Sequence, residues 1–223
     1  LDGSKGNCAS CHSRHQFSVA QARQPESCAK CHTGIVHPQV EGYDDSKHGL
    51  TYRMRSGEMN LKSAKWVAGK DYSAAPTCAT CHMSATKSLP VTHDVGLRVA
   101  RAHRPVISKK LKNADRKRKN MFSACGACHG PDYVKAFFAQ SDHILNAYNN
   151  KYAVPAEKIM VALRKEGKIT PEPFDEKIEW TFFGLWHGEG RDPQKVAQNF
   201  KFDFLGEAER LSPGIAKRIV KGP

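Results

Sequence analysis

Apolar residues recur at helical spacing through residues 131–223. Pro131 suits the first position of a helix. Val134, Phe137, Phe138, Ile144, Leu145 and Tyr148 follow it at the spacing of one helix face. A second helix is expected to start at Pro155, to bury Ile159, Met160 and Leu163, and to stop near Gly167. A third covers about Asp175 to His187, with Ile178, Phe182, Leu185 and Trp186 on one side. Ser212-Pro213 is expected to cap a last short helix running through Ile219. Residues 1–130 show no such period and carry much Gly, Ser and Pro, which reads as loops and short helices. No hairpin turn such as Asn-Gly joins two alternating runs. The pattern therefore predicts a mainly α chain with extensive loops and little or no sheet. It is expected to form one domain, 1–223, divided into 1–130 and 131–223.

Composition complicates that picture. Only 39% of the 223 residues are hydrophobic, and the mean hydropathy is -0.58. A chain this polar is short of side chains for a core, so something else is expected to supply apolar bulk. No run of about 18 apolar residues spans a membrane. No signal peptide is present, and a leader is expected to have been removed already. The formal charge is +13. From Arg98 to Lys119 the only acidic residue is Asp115, against ten Lys or Arg. That stretch reads as a solvated loop, as a set of partners for bound acids, or as a docking surface for an acidic protein. No helix-turn-helix, zinc-finger or aromatic RNA-binding signature accompanies the charge, which argues against nucleic acid.

The cysteines supply the missing bulk. All eight lie in four Cys-x-x-Cys-His motifs: Cys8, Cys11 and His12; Cys28, Cys31 and His32; Cys78, Cys81 and His82; Cys125, Cys128 and His129. This is the attachment signature of c-type haem. Two thiols bond the porphyrin, and the following histidine is held against its iron. Zinc does not require histidine after every second cysteine. Disulfides would leave the histidines without a role. Four covalent haems are therefore expected, and the polypeptide is expected to wrap them and not to fold without them. Their propionates need Lys and Arg partners, which accounts for part of the basic charge. Haem attachment takes place outside the cytoplasmic membrane, which places the chain in the periplasm, at the cell surface or outside the cell.

Seven histidines remain for the other face of each iron: His15, His37, His48, His93, His103, His143 and His187. Methionine is the other choice, but Met54, Met59, Met83, Met121 and Met160 read as ordinary core or surface residues. His48, in Ser-Lys-His-Gly, His93, beside Asp94, and His187, in Trp-His-Gly-Glu-Gly-Arg, have the stronger contexts. His15 is held close to the first motif. His37, His103 and His143 have weaker contexts and read more readily as structural or surface residues. Asp94 either orients a nearby imidazole or caps a helix.

Several stretches carry a family resemblance. They are Cys28-Ala29-Lys30-Cys31-His32 with His37-Pro38, Glu41 through Ser46-Lys47-His48-Gly49, and Thr77-Cys78-Ala79-Thr80-Cys81-His82-Met83. Thr92-His93-Asp94-Val95-Gly96, the motif at Cys125, and Trp186-His187-Gly188-Glu189-Gly190-Arg191 complete the set. Together they cover most of 7–191, and their order resembles the C-terminal haem region of octahaem hydroxylamine oxidoreductases. The resemblance implies distal ligation by His15, His48, His93 and His187. In that family a five-coordinate catalytic haem lies upstream. This chain starts seven residues before its first motif, so that haem is not expected here. An Asp-His pair over the catalytic iron corresponds here to Val36-His37, and the family's cross-linking tyrosine has no counterpart after Arg191. The resemblance thus implies electron relay without the chemistry. In size and haem count the chain also resembles extracellular tetrahaem cytochromes that polymerise into conductive filaments, where one subunit can supply a haem ligand to the next. The expected role is electron transfer with other redox proteins or with copies of itself. The competing role is a hydroxylamine- or hydrazine-oxidising enzyme, or the electron-accepting subunit of one.

Overall fold

The structure is a computed structural model that describes residues 7–34, 38–102, 106–187 and 193–220. Its helices are α1 (Cys8–Cys11), α2 (Val19–Arg23), α3 (Pro25–Ala29), α4 (Gln39–Asp44), α5 (Lys47–Arg55), α6 (Cys78–His82) and α7 (Ala114–Cys125). They continue with α8 (Pro131–Tyr148), α9 (Val154–Lys165), α10 (Lys177–His187), α11 (Pro193–Gln198), α12 (Leu205–Leu211) and α13 (Ile215–Ile219). The strands are β1 (Arg101–Ala102) and β2 (Lys109–Lys110), paired antiparallel with Arg101 opposite Lys110. Mainly α with a minimal sheet is the class the apolar period predicts. Among the described residues no helix is long and apolar enough to cross a membrane.

Two compact units form, one from Leu1–Ala100 with Leu111–Ala136, the other from Arg101–Lys110 with Phe137–Pro223. The sequence reading expected a single domain divided at 130/131. The division falls a few residues later, inside α8, and the β1–β2 hairpin belongs with the second unit.

The first unit is short of apolar core. Its buried cluster is Tyr52, Met59, Trp66, Ala68, Tyr72, Ala75 and Ala79. Trp66 stacks on Tyr72 at 4.1 Å and donates through Nε1 to the Met59 carbonyl at 2.8 Å. Local caps start the short helices. The Ser46 hydroxyl accepts from Gly49 N–H at the head of α5, and Thr77 and Thr80 form a reciprocal capping box at the head of α6. Two glycines permit backbone contacts beside the motifs. A Cβ on Gly49 would stand 2.2 Å from the Tyr43 carbonyl oxygen. One on Gly69, whose φ is +76°, would stand 2.4 Å from that of Ala127, inside the fourth motif.

The second unit is built differently. Ile159, Met160 and Leu163 of α9 pack with Ile178 and Leu185 of α10, with Phe200 and Phe204, and with Ile215 of α13. The second unit thus has a side-chain core of its own. Helix α9 spans the stretch expected from Pro155, and Gly167 follows it in the left-handed region at φ +67°. The last helix runs through Ile219 as expected, but Ser212 does not cap it. The Ser212 hydroxyl donates to Glu166 at 2.5 Å, and the Glu209 carboxylate accepts from the Gly214 and Ala216 N–H groups instead. Those two bonds hold the Glu209 carboxyl below its usual range.

The sequence reading missed α11, α12 and two π-helical stretches, Asn149–Ala153 and Asn199–Phe204. The basic segment 98–119 is also not a plain loop. It holds the β hairpin and the start of α7, and Arg98 within it is buried.

Candidate haem sites

Each motif is a single helical turn. The histidine N–H bonds the carbonyl of the first cysteine at 2.9 Å in the first and second motifs and 3.0 Å in the fourth, and the third motif is α6 itself. A turn of this kind puts the cysteines at i and i+3 on one face, with the histidine at i+4 beside them. Both thiols and the imidazole therefore address one flat group, which is the chemistry the spacing demands.

The thiols of successive motifs lie close enough to affect each other's ionisation. Cys11 responds to Cys28 and Cys31, and Cys81 to Cys125 and Cys128. Cys28 shares a hydrogen bond with Cys78, which raises the Cys28 thiol and lowers that of Cys78. Burial pushes Cys81 up to about 11 and also raises Cys11, Cys125 and Cys128. Among the described residues the converging donor group of His, Cys, Asp or Glu is the acidic set Asp175, Glu176 and Glu179, with no Cys or His in it. That acidic set includes no residue of the four motifs.

The imidazoles fit haem. His82 Nδ1 faces the Val95 carbonyl at 3.4 Å, so Nδ1–H donates there and Nε2 is left for iron. Burial holds the His82 imidazole below its usual range, in the neutral form that a ligand needs. Around the fourth motif, the rings of His48 and His129 have centroids 5.9 Å apart. Two imidazoles bound to opposite faces of one iron, each through a bond of about 2 Å, have centroids about 6 Å apart. Burial, then the proximity of His129, lowers the His48 pKa. Around the first motif, His12 and His93 line one cleft of about 370 Å³ together with Arg23, Trp66, Met83 and Val91. His12 Nδ1 is buried there without a hydrogen-bond partner among the described residues. Arg23 lies 4.8 Å from the Trp66 ring centroid and donates to the Leu61 and Ser63 carbonyls.

The other sequence candidates are placed as follows. His15 is exposed in the turn after α1. His143 is exposed on α8. His187 ends α10, half-buried, and stacks on Phe183 at 4.1 Å. His37 and His103 lie outside the described residues, as do Val36 and 188–192. Asp94 caps the turn Val95–Arg98 by accepting from Gly96 N–H at 2.9 Å. Met59 and Met160 are core residues and Met54 is exposed. The sequence reading missed Tyr133, which stacks on His129 at 4.9 Å, and Phe17, which stacks on His12 at 5.8 Å. The i, i+4 spacing from His129 to Tyr133, across the Pro131 helix start, was the available signal for the first.

Residues 3–174 match the family described as seven times multi-haem cytochrome CxxCH. A stretch of 88 residues, 34% of the chain, is 47% identical to a probable nitrite reductase-hydroxylamine oxidoreductase fusion protein of Kuenenia stuttgartiensis, of which it covers 10%. A solved hypothetical multiheme protein superposes over 94% of this chain and 58% of its own, with TM-score 0.75 and 20% identity. A reducing HAO-like protein complex of Kuenenia stuttgartiensis superposes over 95% and 59%, with TM-score 0.71 and 20% identity. The chain thus spans a tenth of the curated relative and under two thirds of the solved chains. The relation to hydroxylamine oxidoreductase-like multihaem proteins is borne out.

Proposed function

We propose a function from one premise: the chain belongs to the multi-haem cytochrome CxxCH family. Its role is electron transfer through four covalently attached c-type haems, one at each motif. When bound, the haems supply a one-electron iron couple, and the polypeptide supplies attachment, ligands and environment. The covalent partners are the eight cysteines. The proximal ligands are His12, His32, His82 and His129. We assign His48 opposite His129, from the 5.9 Å ring pair, and His93 opposite His12, from their shared cleft. His15 and His187 remain our sequence-based ligands for the other two irons.

The paired rings of His48 and His129 carry the reading. An iron closed on both faces offers no place for a substrate, a catalytic iron needs an open one, and our assignment of His15, His48, His93 and His187 closes all four. Val36 also stands where the resembled family has its acid, and valine moves no proton. Hydroxylamine and hydrazine are therefore expected not to be oxidised in a steady-state assay with an artificial acceptor. Turnover on the order of 10 per second would reverse the assignment to an enzyme.

A relay gains from repetition, which supports assembly into an extracellular or cell-surface filament with copies of this chain. The solved HAO-like complex supports the alternative, an electron-accepting subunit docked to such an enzyme. Electron micrographs of the purified protein separate the two, because open head-to-tail contacts give fibres and a closed complex does not.

A further inference from the structure

Arg98 lies in the first unit, ends the 3-10 turn Val95–Arg98, and is 3% exposed. Its Nη1 donates to the carbonyls of Thr80 at 3.3 Å and Cys81 at 3.1 Å, and its Nη2 to that of Ser84 at 2.6 Å. Thr80 and Cys81 belong to α6, the turn that carries Cys78, Cys81 and His82, and Ser84 follows it by two residues. The same 3-10 turn also meets the third motif through the Val95 carbonyl, which faces His82 Nδ1. One short segment thus holds both the ligand and the thioether side of a single site. Cys81, Tyr72 and His82 are titratable groups that interact with Arg98. Burial depresses the Arg98 pKa, yet an arginine remains charged at any ordinary pH. The result is a fixed positive charge, buried and tied to the residue to which the ring is attached.

We propose that Arg98 sets the reduction potential of the haem held by Cys78, Cys81 and His82, raising it so that this site preferentially holds the electron. Reduction from Fe(III) to Fe(II) takes one electron and removes one positive charge at the iron. A neighbouring cation repels the ferric state more than the ferrous, and does so strongly where water is excluded. No proton moves, because arginine keeps its own. Donation to three carbonyls keeps the guanidinium from turning toward solvent. The inference rests on haem attachment at the third motif, so a missing haem there refutes that reading before this one is reached.

The test is a potentiometric titration of the holoprotein and of Arg98→Gln and Arg98→Lys, each first shown by intact mass to carry every haem of the parent. Glutamine keeps donors for the carbonyls and loses the charge; lysine keeps the charge and loses the fork. The glutamine variant should lower one macroscopic potential by at least a tenfold change in its equilibrium constant, 59 mV for a one-electron couple. The lysine variant should move it by less than half as much. Equal shifts in both variants would make Arg98 a structural brace, and unchanged potentials in the glutamine variant would remove it from the redox account. If the glutamine variant does not mature, Arg98→Met takes its place. If neither matures, the parent is titrated from about 0.01 M to about 1 M salt, where potentials set by surface charge drift and one set by a buried charge stays. Drift of every potential would overturn the proposal.

Discussion

Replacing His48 with alanine is expected to convert one haem, the one attached through Cys125 and Cys128, from low spin to high spin. The imidazoles of His48 and His129 already stand at the separation that one shared iron requires. His48 is positioned locally: the Ser46 hydroxyl caps the helix one residue before α5 begins, and Gly49 lets that turn sit against the backbone of Tyr43 and Asp44. The other ring that stacks on His129 is that of Tyr133, which is not an imidazole. The optical and EPR spectra of the oxidised variant should show a high-spin species that the parent lacks, with the other haems unchanged. The potential of the altered haem should rise as well, because removing a strong axial donor favours the ferrous state. His143→Ala, on an exposed position of α8, is the matched control and should leave the spectrum as it was. A purely low-spin spectrum in the His48 variant would dissolve the pairing with His129.

The second large effect concerns folding without the cofactor. A chain expressed where haem is not attached is expected to lose the first unit and retain the second. In the first unit α1 to α6 have 4, 5, 5, 6, 9 and 5 residues, and α7 reaches 12. Isolated helices shorter than about 12 residues are marginal in water, and the small cluster around Trp66 and Tyr72 offers them little to pack on. The second unit contains α9 and α10, with 12 and 11 residues, around a core in which Ile159, Leu163, Ile178, Phe204 and Ile215 are fully buried. Limited trypsin digestion read by mass spectrometry should cut the Lys and Arg bonds of 7–100 roughly hundred-fold faster than those of 154–220, the ratio that about 3 kcal/mol of protection supplies. Even digestion across the chain would show that haem supports both units. An intact 7–100 would show that it supports neither.

The helical half was the more legible. Ile159, Met160 and Leu163 recur at a period that only a helix buries on one side, and Pro155 and Gly167 mark its ends. The short helices α11 and α12 escaped notice because a π-helical stretch, Asn199–Phe204, joins them. An extra residue per turn breaks the 3.6 period by which helices are recognised. Arg98 looked like one more charge in a basic run, because nothing local distinguishes a buried arginine from a solvated one. Its partners, Thr80, Cys81 and Ser84, are 14 to 18 residues away in the chain. The attachment residues and proximal histidines that we propose come from spacing alone, because one helical turn carries all three groups. Distal ligands could not be matched to irons that way. His48 and His129 are 81 residues apart in the chain, and so are His12 and His93, so only the fold brings each pair together.

Intact mass of the purified protein, under denaturing but non-reducing conditions, tests the central claim most directly. Four haems on eight thioether sulfurs predict the mass of the chain plus four haems, resistant to acid and to thiol reagents. The chain alone, or lighter by the hydrogens of disulfides such as one joining the adjacent Cys28 and Cys78, or heavier only by zinc that acid strips away, would contradict it.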